Sequence, residues 1–167
     1  MFKPVAVAGL ILALCACASG PSYNGPMIKS TKGYTSFVVV VDAVPTIDDS
    51  DVEKAKQELA QAVVAKITAS TSLIAADDPA KTDLVVHIHM TGLRYLSGGH
   101  RFWMGALAGH AILAADSDIT DRKTGSVLWK LSVDTTSSSW DGIFGSTSDS
   151  QFDALGEQIS AGMRANI

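Results

Sequence analysis

Cysteine is scarce in this sequence and absent from most of it. The chain of 167 residues holds two cysteines, Cys15 and Cys17, and none follows them. No disulfide can therefore staple the part of the chain beyond Cys17, and no thiol there can act as a nucleophile. That part is long enough for one domain with its own hydrophobic core, so a single domain is the expected organisation.

Positive charge is also in short supply. Lys and Arg number 13 against 17 Asp and Glu, which gives a formal net charge of −4, and the basic residues are scattered along the chain. A protein that neutralises a phosphate backbone needs a basic stripe or patch. We therefore expect no nucleic-acid partner.

The patterns that mark a catalytic site are missing as well. The serine-rich run at residues 135–141 contains no Gly-x-Ser-x-Gly step. Asp48, Asp49 and Asp51 resemble a group of paired carboxylates, but they fall in the capping region of a predicted helix, where anionic side chains complement the helix amino terminus. We therefore expect a protein that is not an enzyme.

An apolar run near the amino terminus is too short to span a membrane. Lys3 precedes the apolar residues Val5 to Leu14, and small residues follow them. A spanning helix needs about 20 apolar residues, whereas a short run behind one positive charge is the layout of an export signal. The pattern therefore predicts a cleaved signal peptide at residues 1–16.

The residues at the predicted cleavage point resemble the lipobox of bacterial lipoproteins. Leu14-Cys15-Ala16-Cys17 has leucine first, a small residue before the cut and a cysteine after it. Acyl chains on Cys17, palmitate among them, would anchor the protein without a spanning helix, since each buried methylene contributes about 0.8 kcal/mol. An ordinary signal peptide cleaved after Ala18 is the alternative.

This interpretation divides the chain into three segments. Residues 1–16 are the signal peptide, residues 17–33 are the lipidated cysteine and a Ser-, Gly- and Pro-rich flexible tether, and residues 34–167 are the domain. Ala18 follows the cysteine, whereas an aspartate there is the usual inner-membrane retention signal in the enteric lipoproteins it resembles. We therefore expect the periplasmic face of the outer membrane.

Hydrophobic periodicity predicts six elements in the order β-α-β-β-β-α. A capping box of Ser50 and Glu53 is expected to open the first helix. On the last strand, Val127 is expected to share one apolar face with Trp129, Leu131 and Val133. The predicted strands are 36–44, 83–91, 110–120 and 127–134, and the predicted helices are 51–68 and 150–165.

Both helices carry one apolar stripe, and each strand has one clearly apolar face. The arrangement that buries all of these surfaces at once is an α+β two-layer sandwich, with a sheet of about four strands and both helices on one of its faces. The opposite face of the sheet is expected to stay polar.

Two histidines on the second predicted strand suggest a metal site. His87 and His89 project to one face, and Asp116 and Asp118 share a face of the next strand together with His110. If the two strands pair in register, a His-His-Asp group lies close enough to bind zinc. The alternative is that these side chains decorate a solvent-facing sheet, where polar residues are usual.

Two loops carry residue types that are common at the centres of protein interfaces. One is the glycine-rich segment 93–109, and its expected neighbour in space is the segment 136–150. The alternative is that their aromatic side chains cap the core at one end of the sheet. The candidate interaction residues are Arg101, Phe102, Trp103, Met104, Trp140 and Phe144.

From Leu84 onward the chain resembles an uncharacterised domain family of Gram-negative lipoproteins. The shared pattern is a hydrophobic strand, an Arg-x3-Gly-x3-Gly step into an alternating strand, an Asp-x-x-Thr-Gly turn and a Ser- and Gly-rich loop before a last helix. The resemblance implies a small envelope lipoprotein and carries over no catalytic residue. The matching positions are Arg101, Gly105, Gly109, Asp121, Thr124 and Gly125.

These expectations favour a non-enzymatic binding or assembly accessory that is held on a membrane by Cys17 and contacts an envelope protein partner. One alternative is a metal-binding envelope protein that uses His87 and His89 with Asp116 or Asp118, and zinc is then its cofactor. The other is a structural lipoprotein that self-associates through an exposed edge of its sheet.

Overall fold

The computed structural model describes residues 33–47, 50–96, 111–135 and 147–166. The predicted signal peptide, Cys17 and nearly all of the predicted tether lie outside these residues. The elements in chain order are β1 (Ser36–Ala43), α1 (Val52–Ser70), β2 (Ile74–Ala75), a 3₁₀ turn (Pro79–Lys81), β3 (Leu84–Arg94), β4 (Ile112–Asp121), β5 (Ser126–Asp134) and α2 (Ser148–Asn166).

The described elements form a two-layer α+β fold, which confirms the predicted class. The sheet has the strand order β2-β1-β3-β4-β5, with both helices packed on one face. β1 runs parallel to β2 and β3, whereas β4 is antiparallel to both of its neighbours. The sheet has five strands rather than four because the two-residue β2 pairs with Ser36 and Phe37.

The core lies between the sheet and the helices. Alternate residues of β3 and one stripe of α1 meet there, as the period-two and helical patterns predict. Each Val, Leu, Ile or Met side chain among them contributes roughly 1.5–3 kcal/mol when it is fully buried. The residues from these two elements with at most 1% of their surface exposed are Leu84, Val86, Ile88, Met90, Ala55, Leu59, Val63 and Ile67.

α2 approaches both the sheet and α1 through glycines. A Cβ at Gly162 would lie 2.3 Å from the Cε2 atom of Trp129, so the backbone of α2 rests directly on the indole ring. A Cβ at Gly156 would lie 3.3 Å from the carbonyl oxygen of Ala62 in α1.

Within the described ranges, neither helix is both long enough and apolar enough to cross a bilayer.

The capping box predicted for α1 is wrong. The helix begins at Val52, and its N-cap residue is Asp51, which makes no side-chain capping hydrogen bond. Glu53 instead accepts a hydrogen bond from the Lys56 amine at 3.0 Å, because an i,i+3 pair of opposite charge competes for the carboxylate.

A reciprocal cap is found on α2. The Thr147 amide donates to Ser150 Oγ at 3.2 Å, and the Ser150 amide donates to Thr147 Oγ1 at 3.4 Å. The Gln151 amide then donates to the Thr147 carbonyl at 3.1 Å, which closes the first turn. A Ser- and Thr-rich run offers several possible caps, so the sequence did not single out this pair.

Two bulges change which side chains face the helices. On β3 the register shifts between Met90 and Gly92. On β5, Trp129 lies opposite Ile119 and Val127 lies opposite Thr120, so Leu128 is an extra residue between them. The core therefore takes Leu128 instead of Val127, and the prediction that Val127 shares the face of Trp129 is wrong.

The turn between β4 and β5 is built around Asp121, which is 3% exposed. Its Oδ1 atom accepts the amides of Lys123 and Thr124 at 2.9 and 3.1 Å, and the Tyr34 hydroxyl donates to Oδ2 at 3.2 Å. Gly125 has φ of +69°, a conformation that side chains with Cβ rarely adopt. The Asp-x-x-Thr-Gly pattern is therefore explained by the geometry of this hairpin.

Candidate functional site

The polar face of the sheet carries the predicted histidines and aspartates. In the β3–β4 register, His87 lies opposite Asp118 and His89 lies opposite Asp116, as the metal-site prediction required. The two imidazoles and Asp116 are exposed, and Asp118 is half-buried. All four side chains are on the face away from the helices, because their neighbours along each strand point into the core.

Asp42, which sequence reasoning missed, extends this arrangement onto β1. It lies opposite His89 in the parallel β1–β3 pairing, and its Oδ1 atom contacts the Nδ1 atom of His89. On the other side, the Ser132 hydroxyl donates to Asp116 Oδ1 at 2.6 Å. A row of Asp42, His89, Asp116 and Ser132, here called the His89 row, therefore crosses four strands.

The His89 row is not assembled as a metal centre in the described part of the chain. No group of three or more His, Cys, Asp or Glu side chains there is placed to hold a metal ion. Side chains on neighbouring strands stand about 5 Å apart on a flat face, and Asp118 already accepts a hydrogen bond from the Thr120 hydroxyl at 2.7 Å.

The zinc hypothesis thus stays a prediction, with His110 outside the described residues. Metal content measured on the purified protein, together with the melting temperature before and after addition of Zn²⁺, tests it directly. Loss of any zinc-dependent shift in a His87→Ala, His89→Ala variant would assign the metal to these imidazoles.

A second candidate region lies where the segments 97–110 and 136–146 leave and re-enter the described structure. The Leu96 amide donates to Ser148 Oγ at 2.8 Å, and the Ser148 amide donates to the Leu96 carbonyl at 3.1 Å. The start of one segment is thus tied to the end of the other. We call the four bounding residues, Leu96, Ala111, Thr135 and Thr147, the loop end.

Hydrogen bonds also hold Ala111 and Thr135, the other two residues of the loop end. The Leu113 amide donates to Thr135 Oγ1 at 2.8 Å, and the Thr135 amide donates to the Leu113 carbonyl at 3.0 Å. The Gln151 amide group donates to the Ala111 carbonyl at 2.9 Å. Because Gln151 and Thr135 are buried, these hydrogen bonds are shielded from water and fix the positions from which both segments depart.

Gln151 also has an unused acceptor at this place. Its residue is 2% exposed, and its Oε1 atom has no hydrogen-bond partner among the described residues. An unpaired buried acceptor costs about 1–3 kcal/mol, so natural structures rarely leave one unsatisfied. A hydrogen-bond donor brought to Gln151 Oε1 would therefore remove this cost.

The loop end is also tied to α1 through Tyr95. The Tyr95 hydroxyl donates to Glu58 Oε2 at 2.7 Å, and the Lys54 amine lies 4.9 Å from the centre of the ring. Burial raises the pKa of Tyr95, and the hydrogen bond to Glu58 acts in the same direction. The phenol therefore stays protonated and keeps its role as donor at neutral pH.

The predicted interaction residues themselves lie outside the described structure. What the structure adds is that the two segments carrying them begin and end at one end of the sheet. Sequence reasoning missed Ser148, Thr135 and Gln151, because buried polar clamps resemble ordinary loop residues. One available signal was Gln151, a polar residue directly before Phe152 on the buried face of the last helix. The predicted residues are Arg101, Phe102, Trp103, Met104, Trp140 and Phe144.

The order and packing of these elements recur in solved structures of PelC from Paraburkholderia phytofirmans. The chain shares the fold of PelC. A dodecamer of a PelC point variant superposes with a TM-score of 0.58 at 15% identity, over 89% of this chain and 97% of that chain. A second PelC dodecamer gives a TM-score of 0.56 at 14% identity, over 86% and 97% of the two chains.

A hypothetical protein from Chlamydia trachomatis superposes with a TM-score of 0.48 at 9% identity, over 80% of this chain and 98% of that chain. No family model matches the sequence, and no curated protein matches it either. At these identities the likeness to PelC concerns the fold.

Proposed function

We propose that this chain is an envelope lipoprotein, anchored by acyl chains on Cys17 at the periplasmic face of the outer membrane. Its α+β domain then acts as a non-enzymatic binding or assembly unit. The observation that carries the anchor is Leu14-Cys15-Ala16-Cys17 behind a short apolar run. Acyl chains suffice for attachment, since dual or triple acylation holds a protein firmly on a bilayer.

The resemblance to uncharacterised Gram-negative lipoproteins supports the same proposal. Its Asp121, Thr124 and Gly125 positions have a purely structural explanation in the β4–β5 turn, which fits a family without catalytic residues. The remaining matched positions, Arg101, Gly105 and Gly109, lie outside the described residues.

The loop end supports a binding role at one end of the domain. The segments that hold Trp103 and Trp140 both depart from buried hydrogen-bonded clamps, so a partner could be met by both at once. Tryptophan and arginine anchors dominate the binding energy of many protein interfaces. Because the proposed anchor on Cys17 would hold the domain in the cell envelope, the partner that we propose is an envelope protein.

The anchor is tested by comparing Cys17→Ser with Cys15→Ser in a Gram-negative host. The wild type and the Cys15→Ser control are expected to sediment with membranes and to incorporate a clickable palmitate analogue. Cys17→Ser is expected to lose both properties, because it removes the acylated sulfur. Equal labelling of all three chains would contradict lipidation at Cys17.

The binding role is tested by capture from solubilised envelopes with the acylated full chain. Wild type is expected to retain a reproducible envelope protein, whereas Trp103→Ala and Trp140→Ala are expected to lose it without a change in melting temperature. A lowered melting temperature with partner capture retained would instead assign these rings to the core.

Self-association is a second candidate function. The described sheet has strands with open edges on both sides, and the PelC structures that share its fold are dodecamers. An open edge presents unpaired backbone groups to which another strand can bind. Sedimentation of the detergent-solubilised acylated chain over a range of concentrations tests this proposal, and a strict monomer would exclude it.

A further inference from the structure

One open edge of the sheet belongs to β1. The carbonyls of Thr35 and Phe37 accept hydrogen bonds from the β2 side, at 2.9 and 2.8 Å. Backbone groups alternate in direction along a strand, so those of Val39, Val41 and Ala43 also point away from β3. β2 ends before it reaches them, and they have no backbone partner among the described residues.

The other open edge belongs to β5. The Thr135 amide donates to the Leu113 carbonyl of β4 at 3.0 Å, which sets the direction of the backbone groups before it. By alternation, the amides and carbonyls of Lys130, Ser132 and Asp134 point away from β4. Within the described ranges no strand lies beyond β5.

The two open edges have matching directions. β1 is parallel to β3, and β5 is antiparallel to β4, which is antiparallel to β3, so β1 and β5 run the same way. A head-to-tail repeat of the chain about an axis near the strand direction can therefore place β5 of one copy parallel to β1 of the next. Pairing of this kind uses both open edges and leaves none inside the assembly.

The side chains along the two edges are also complementary. Asp42 and Lys130 both lie on the polar face, one on each edge strand, and Lys130 has no ion pair with a described residue. On the helix face, the half-buried Val39 and Val41 of β1 would continue the apolar surface of β5. Pairing of β1 with a second β1 would instead bring two aspartates onto one narrow face and leave both β5 edges open.

We infer that the occupant of the β1 edge is a second copy of this chain, which adds its β5 strand in parallel and pairs its Lys130 with Asp42. This inference rests on the self-association candidate above and names the surface that it uses. Anchoring on a membrane would favour it, because confinement to one plane raises the local concentration of copies.

A zero-length carbodiimide cross-link tests the pairing on the wild-type acylated chain in detergent. The reagent joins a carboxylate to an amine only when the two groups touch. Within one copy, Asp42 and Lys130 are separated by three strand spacings, about 14 Å, which their side chains cannot bridge. A linked Asp42–Lys130 peptide that combines light and heavy isotope-labelled copies is therefore intermolecular.

Two edge prolines provide an independent test. Val41→Pro and Ser132→Pro remove amides that point out of the sheet, so each is expected to keep the wild-type circular dichroism spectrum and lose the oligomer. They lie on different strands, so one of them still tests the pairing if the other fails to fold. Oligomers that persist in a folded proline variant would overturn the inference.

Charge reversal separates this pairing from other modes of assembly. Lys130→Asp is expected to abolish the oligomer, whereas Lys123→Asp, which makes the same charge change in the exposed β4–β5 turn, is expected to leave it intact. Adding Asp42→Lys to Lys130→Asp is expected to restore assembly. Failure of that rescue, or an oligomer that yields no Asp42–Lys130 link, contradicts the inference.

The anchor and the pairing are distinguished in the same sample. An acylated chain that stays monomeric at all concentrations overturns the pairing and leaves the lipoprotein proposal standing. A wild-type chain that the Gram-negative host leaves unacylated overturns the lipid anchor. A cross-linked oligomer of that same chain supports the pairing.

Discussion

The side chains on the two faces of β3 differ in how far they are buried. On the helix face, Leu84, Val86 and Met90 are completely buried, whereas His87 and His89 on the opposite face are exposed. These residues alternate along one strand, so a single period-two pattern separates the core from the surface that a partner or solvent meets. Substitutions on the two faces should therefore differ sharply in their effect on stability.

The largest effect is expected from Leu59, a fully buried residue of α1 that packs over the sheet. Leu59→Ala should lower the free energy of unfolding by about 2–5 kcal/mol, because it removes apolar contacts and leaves a cavity. Denaturant unfolding measures the change. The control is Gln61→Ala on the exposed side of the same helix, and equal losses for the two variants would contradict the core described above.

A somewhat smaller effect is expected where α2 rests on Trp129. Gly162→Ala places a Cβ within 2.3 Å of a ring atom, so it should lower the free energy of unfolding by roughly 1–3 kcal/mol through overpacking. Gly156→Ala is the matched comparison, since its nearest neighbour is the flexible Lys66 side chain at 3.0 Å. Thermal melts should rank Gly162→Ala as the less stable of the two variants.

A pH-dependent effect is expected at Asp83, at the end of the sheet where β1 and β3 begin. Hydrogen bonds from the hydroxyl and amide of Thr35, and then from Ser36, lower the pKa of this carboxyl below its ordinary value of 3.8. Its contribution to stability is therefore complete above the ordinary pKa and is lost as pH falls through the lowered one.

Asp83→Asn should accordingly destabilise the protein more at pH 7 than at pH 2. Urea unfolding of wild type and variant at several pH values measures the difference. A penalty that stays constant across this range would show that the charge of Asp83 is irrelevant to folding.

The smallest effect is expected on the polar face. Replacing His87 and His89 together with alanine should change the free energy of unfolding by no more than about 0.5 kcal/mol, because exposed side chains and exposed ion pairs contribute little. His89 is 48% exposed and its partner Asp42 is 61% exposed. A loss comparable to that of Leu59→Ala would mean that the polar face is covered in the native protein.

Much of the fold could be predicted because burial decides it. The stripe of Leu59, Val63 and Ile67 and the alternation of β3 state directly which side chains avoid water, and the structure follows both. β2 escaped prediction because two residues, Ile74 and Ala75, are too few to show a period. The Leu128 bulge was not predicted either. It depends on how β5 pairs with β4, and no local sequence preference indicates it.

The candidate site was only partly predictable for a similar reason. The pairing of His89 with Asp116 could be anticipated only as one possible register, because β3 and β4 are consecutive strands but a long segment between Arg94 and Ile112 leaves their register open. Asp42 follows a run of four valines and resembles the end of a buried strand. Its contact with His89 depends on parallel pairing across a long separation in the chain, which local patterns do not reveal.

The clamps at the loop end have a practical consequence for anyone who wishes to re-engineer the protein. Leu96 and Ser148 exchange two hydrogen bonds, Thr135 and Leu113 exchange two more, and the Gln151 side chain donates to the Ala111 carbonyl. The scaffold therefore holds the points from which both segments depart. The entropy of closing a loop on fixed ends grows slowly with its length. The end of this sheet is therefore a natural display platform, on which foreign loops of differing length can be grafted while the layers beneath keep their architecture.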